Sequence, residues 1–195
     1  MNIHSIPTII ILMSLTACSA FGVIESDNPA VKLQQAKQLF NTLDRPVPAE
    51  RLIRESIAIY EKNDDAAGLA EAYRYYGFFF GSQSVTHWAH VYNPNGFLDK
   101  SATFNTRNDK SIEYFNLALA QWEKIGQHEW DSNIELNIAT AYMRMNQNDN
   151  ACRAYDLSLK ADQKYHSEGK IDLPQGYSSV SEFIVALKQR VPCLT

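Results

Sequence analysis

The chain has 195 residues, of which 45% are hydrophobic and 21% charged, with a formal net charge of −4. That length and apolar content suit one domain with a real core, and they exclude collagen-like, low-complexity and wholly disordered chains. The mildly acidic balance and the lack of a Lys/Arg tract exclude a strongly basic nucleic-acid binder, so no nucleic-acid partner is expected.

The chain opens on an apolar run from Ile6 to Leu15, broken only by Pro7, Thr8 and Ser14. A helix needs about 20 apolar residues to cross a bilayer, so this run has the length of a signal-peptide core instead. Leu15-Thr16-Ala17-Cys18 follows and resembles the lipoprotein box of bacterial lipoproteins. The resemblance implies that residues 1–17 are a signal peptide, that Cys18 carries the lipid (palmitate among its acyl chains), and that residues 18–26 tether a single helical domain over residues 27–195. Several acyl chains on one residue suffice for stable membrane anchoring. Ser19 stands where an aspartate would favour the inner membrane, so the expected location is the outer membrane of the cell envelope, facing the periplasm. No Lys or Arg precedes the apolar run, which keeps an ordinary secretory signal with an incidental Cys18 as the alternative. In an oxidising compartment the remaining pair, Cys152 and Cys193, invites a disulfide that would close a loop of about 40 residues and contribute on the order of 3–4 kcal/mol. The other reading makes Cys152 a small core residue and Cys193 a free tail thiol.

From Ser26 onward the chain reads as seven helices. Asp27-Asn28-Pro29 caps the first, to about Leu43, and Pro48 opens a second ending near Lys62. Asn63-Asp64-Asp65 caps a third, to about Gly81. After a long irregular stretch, Asn108-Asp109 caps a fourth that stops at Gly126. A fifth runs from about Glu129 to Met145, a sixth from Asn148-Asp149 to Tyr165, and a seventh from about Ser179 to Arg190, where Pro192 forbids continuation. No segment alternates with period two, so no strands are expected and the fold class is all-α.

Three of these helices repeat one spacing of small, large and small residues: Ala49/Ile53/Ser56, Ser111/Phe115/Ala118 and Ala151/Tyr155/Ser158. Steps of four and three keep each triplet on one helical face. The preceding helices carry Tyr73-x-x-Tyr76-Gly77-x-x-Phe80 in one case and Ile138-Ala139-x-x-Tyr142 in the other. Ser56 to Gly77 and Ala118 to Ala139 are both 21 residues, and Ala139 to Ala151 is 12. This pattern resembles the tetratricopeptide repeat (TPR) family, with Glu135 where that family's first aromatic would stand and without its closing proline. The resemblance implies a right-handed α-solenoid of about three degenerate helix pairs plus a C-terminal capping helix. It also implies a concave face built from the first helix of each pair, which nominates Tyr73, Arg74 and Tyr76, then Asn133, Asn137 and Arg144, as partner-binding residues. Tyr73 and Tyr76 equally suit the core of the repeat.

From Gly77 to Ser111 is 34 residues where the later pair uses 12, so an insert occupies residues 82–107. It holds His87, Trp88, His90, Tyr92, Phe97 and Phe104, an aromatic density that usually buries itself. One reading folds it over the apolar Phe78-Phe79-Phe80 run. The other makes Trp88, Tyr92 and Phe97 a recognition surface, since Trp and Tyr are enriched in binding hot spots. His87-x-x-His90 lacks the third and fourth ligands that a zinc site wants, so no metal is expected. No nucleophile elbow, phosphate-binding glycine loop or dinucleotide fingerprint occurs, so no catalytic residues, cofactor or enzyme activity are expected. The expectation is a lipid-anchored, non-enzymatic scaffold or adaptor for a protein or peptide partner in the envelope. The alternative is a periplasmic immunity lipoprotein that neutralises a toxin with its aromatic insert.

Overall fold

A computed structural model describes residues 23–167 and 169–193. Residues 1–17, the lipoprotein box and Cys18 lie outside the described residues; among the described residues no helix is long and apolar enough to cross a membrane. All regular elements among the described residues are helices: α1 (Pro29–Asn41), α2 (Pro46–Lys62), α3 (Ala66–Phe80), α4 (Gln83–His87), α5 (Ala89–Asn95), α6 (Arg107–Lys124), α7 (Asp131–Arg144), α8 (Asn148–Tyr165) and α9 (Val180–Lys188). The all-α expectation therefore holds over these residues.

Side-chain caps open four of the nine described helices, α1, α3, α4 and α9. Asn28 accepts from the Ala30 and Val31 amides ahead of α1, and Asp65 accepts from Gly68 ahead of α3. Ser179 accepts from Glu182 ahead of α9. Each of these side chains satisfies amides that have no partner within the helix. Two starts differ from the sequence expectation. Helix α2 begins at Pro46 rather than Pro48, because both prolines fit a first turn whose amides are unpaired in any case. Helix α6 begins at Arg107, where Thr103 and Thr106 exchange side-chain to backbone hydrogen bonds ahead of the expected Asn108-Asp109 cap. The insert, expected to be irregular, contains the short helices α4 and α5.

The closest packing joins α1 to α2, α3 to α6 and α7 to α8, and α2–α3, α6–α7 and α8–α9 contacts link these pairs along the chain. All nine residues of the three small–large–small triplets are buried. In each pair a serine hydroxyl of the second helix donates to a backbone carbonyl of the first: Ser56 to Pro29 (3.0 Å), Ser111 to Gly77 (2.7 Å) and Ser158 to Ser132 (2.8 Å). Such bonds let a small polar residue sit at a dry helix contact without an unpaired hydroxyl. At the centre, a Cβ on Gly77 would lie 2.6 Å from the Phe115 ring. Gly77→Leu is therefore expected to cost about 1–3 kcal/mol by overpacking, and chemical denaturation will measure it. An unchanged midpoint would show that α3 and α6 do not need this close approach.

The core has two parts that meet along α3 and α6. One gathers α1, α2, α3 and the insert, the other α6 to α9. Helix α3 serves both, with Tyr76, Phe79 and Phe80 fully buried. Tyr92 and Phe97 of the insert stack on each other at 4.3 Å, and Phe97 meets Phe80 at 4.9 Å. The insert is fastened by a buried carboxylate: Glu50 Oε1 accepts from the Tyr76 hydroxyl (2.9 Å) and the Leu98 amide (2.7 Å). One residue on, Asp99 accepts from the Tyr114 hydroxyl at 2.9 Å. At the other end of the chain, Cys152 of α8 and Cys193 form a disulfide with a Cα–Cα distance of 5.9 Å, which ties the segment after α9 back to α8.

Candidate interaction groove

Helices α1, α3, α7 and α9, with the segment 169–172, surround a cavity of about 660 Å³. Arg74, Asn133, Asn137 and Arg144, four of the residues nominated from the sequence, line it together. Arg74 is brought in by α3, and the other three lie along α7 at spacings of four and seven, which stack them on one helical face. Lys37, Tyr75, Phe78, Trp130, Lys170 and Phe183 complete the lining that matters chemically.

Trp130 organises the floor. The Arg74 guanidinium lies 4.2 Å from its ring and the Lys170 ammonium 4.6 Å, so two cations share one aromatic face system. Arg74 is held further by bonds from Nε and Nη2 to the Glu71 carboxylate, at 2.9 and 2.5 Å. That forked grip fixes the guanidinium plane. Asn133 Nδ2 donates to the Lys170 carbonyl (2.9 Å), and Asn137 Nδ2 donates to the Asn133 carbonyl (2.7 Å). Arg144 stands beside Gly81, whose missing Cβ leaves its Nη1 the room it occupies. Gly81 is the C-cap of α3, where exposed carbonyls favour a cation. Partial burial, and then repulsion from Arg107, pull the Arg144 pKa below its usual value.

The remaining nominated residues lie elsewhere. Tyr76, Tyr92 and Phe97 are buried in the core and present no surface to a partner. Their rings complete the apolar packing around Phe79 and Phe80, and removing them from water outweighs any use as exposed contacts. Tyr73 is partly buried between the two core clusters, with its hydroxyl 3.3 Å from Glu61. Trp88 is half-buried and stacks on His90 at 5.7 Å. His87 faces Asp44 at 3.4 Å, so the two insert histidines do not converge. Sequence reasoning missed Lys37, Trp130 and Lys170, which come from three separate segments. Trp130 and Lys170 lie outside any repeat motif, and only their chain neighbours in the fold bring them to the groove.

A second, smaller cleft lies between α6, α7 and α8. His128 Nδ1 is 2.9 Å from Asp131 Oδ2, and the imidazole stacks on Tyr165 at 4.5 Å. Burial pushes the neighbouring Glu135 carboxyl up to about 7, with help from Asp131. Among the described residues, no Ser, Thr or Cys lines this cleft. Among the described residues no three His, Cys, Asp or Glu side chains come together as a metal site. A scan of protein-family models and a search of curated proteins found no match to this chain.

Proposed function

We propose that this chain is a lipid-anchored, non-enzymatic interaction module of the bacterial cell envelope, held by Cys18 to the outer membrane and facing the periplasm. In this reading its helix pairs form a short TPR-like solenoid with α9 as the cap. The groove lined by α1, α3, α7 and α9 receives a segment of a partner protein. The observation that carries the proposal is the convergence of Arg74, Asn133, Asn137 and Arg144, from two helices far apart in sequence, on one cavity. The equivalent bonds from Ser56 to Pro29 and from Ser158 to Ser132, each from the last residue of a triplet to the start of the preceding helix, support the repeat reading. A groove held by packed helices and a forked Arg74–Glu71 pair is preorganised, which lowers the ordering cost of binding. The toxin-immunity alternative rests on small size, a single anchor, the lack of an enzyme motif and the aromatic insert, of which Tyr92 and Phe97 are buried and Trp88 is half-buried.

Affinity capture from the native envelope with the full chain tests the proposal. One protein is expected with wild type and with Trp88→Ala, and is expected to be lost with the triple change Asn133→Ala/Asn137→Ala/Arg144→Ala. Capture that survives the triple change overturns the groove reading. Separately, Cys18→Ser is expected to abolish labelling by radioactive palmitate and to release the protein from membranes. Unchanged membrane association would overturn the anchor.

A further inference from the structure

The charge of the groove runs against the charge of the molecule. The chain carries a formal −4, yet the cavity is lined by Lys37, Arg74, Arg144 and Lys170 against one carboxylate, Asp172. Arg74 is answered by Glu71. Among the described residues, Lys37, Arg144 and Lys170 have no carboxylate within ion-pair distance, so Asp172 is the one acidic side chain on the lining and it pairs with none of them. Like charges gathered along one concave wall repel each other, and a concave shape focuses their field. Such an arrangement costs stability in the free protein and is relieved by an anionic occupant.

Resting on the groove reading above, we infer that the occupant is an acidic segment of a partner protein, whose Asp or Glu side chains are met by Lys37, Arg144 and Lys170. Two features select a polypeptide over other anions. First, both asparagine side chains use Nδ2 internally. Asn137 Oδ1 is left with no donor among the described residues, and Asn133 Oδ1 with only a 3.5 Å contact from Asn137. These are acceptors, and a peptide backbone supplies a run of N–H donors where a phospholipid phosphodiester supplies none. Second, the cations line a concave groove between α1, α3 and α7, a shape that fits an extended or helical segment better than a flat bilayer surface. The aromatic floor of Tyr75, Phe78 and Trp130 then accepts the apolar parts of the same segment.

Selection of a random displayed-peptide library on the detergent-solubilised full chain tests this. The expected result is strong enrichment of Asp and Glu in the bound clones. A synthetic copy of a selected peptide is expected to bind about ten-fold or more weakly to Lys37→Glu/Arg144→Glu, and to weaken with rising salt. Circular dichroism checks the fold, and Lys170→Gln/Arg144→Gln serves if the charge-reversed variant does not fold. Clones without acidic bias that are lost on Asn133→Ala/Asn137→Ala overturn this inference and leave the groove reading standing. Clones indifferent to both sets of changes, or no enrichment at all, overturn both. Displacement of the peptide by inorganic phosphate, or binding of phosphatidylglycerol vesicles that the charge-reversed variant loses, assigns the cations to a phosphate group and overturns the peptide.

Discussion

Excising residues 82–107 is expected to leave a chain whose N-terminal half no longer folds cooperatively. Tyr92 and Phe97 are 2% and 1% exposed, and Val85 and Ala102 are buried beside them. An aromatic side chain buries roughly 150–250 Å². At about 25 cal/mol per Å² the two rings alone represent on the order of 10 kcal/mol, an upper figure because the unfolded chain already hides part of that area. A whole domain is stable by only about 5–15 kcal/mol. Excision also uncovers Phe79 and Phe80 and strips Glu50 and Tyr114 of partners within the insert. Thermal melts followed by circular dichroism, with binding of an apolar dye, will report the loss. A truncated chain that melts in one transition within a few degrees of wild type would show that the insert is dispensable. Point changes in the groove are for this reason the sounder way to test binding.

Replacing Glu50 by Ala is expected to cost about 3–5 kcal/mol, since the Tyr76 hydroxyl and the Leu98 amide lose their acceptor inside the core and a cavity remains. The same residue gives stability a pH dependence. Burial pushes its carboxyl from 4.5 up to about 7, against the lowering effect of the Tyr76 and Leu98 hydrogen bonds. A carboxyl with a raised pKa in the folded state favours folding while it is protonated in both states. That contribution is full below about 4.5, fades as pH rises, and is gone above about 7, a span worth about 3 kcal/mol. Asp99 and Glu55 act in the opposite sense. Their pKa values are lowered by hydrogen bonds from Ser101 and Tyr114 in one case and by Lys32 and Arg51 in the other, each prevailing over burial. Their contributions disappear on acidification. Stability is thus expected to peak in mildly acidic solution and to fall between pH 5 and 8. In Glu50→Gln about half of that fall should vanish, and the remainder should track Glu135, whose carboxyl is also raised to about 7. A Glu50→Gln variant with the wild-type pH profile would show that the carboxyl is already ionised at no cost.

Local features of the chain determined the helices. The caps at Asn28, Asp65 and Ser179 are written in neighbouring residues, because these helix starts are satisfied by side chains two or three positions away, and α8 spans Asn148 to Tyr165 as expected though without a side-chain cap. The small–large–small triplets foretold which faces are buried, since a four-then-three spacing puts residues on one face whatever surrounds them. The same local logic misjudged α2 and α6 by a turn or less, where two prolines and a reciprocal threonine pair offered competing starts.

Only tertiary packing decided what the aromatics do. Trp88, Tyr92 and Phe97 have similar chemistry in sequence, yet two are core and one is half-buried. The difference is whether Phe79 and Phe80 lie opposite, a contact between α3 and residues well along the insert. Likewise Arg74, Asn133, Asn137 and Arg144 could be nominated from helix position. Their unpaired companions Lys37 and Lys170, and the Trp130 ring that two cations share, could not. Helix formation and capping are fixed by contacts a few residues apart, whereas the charge and shape of a groove are sums over segments that meet only once the helices have packed.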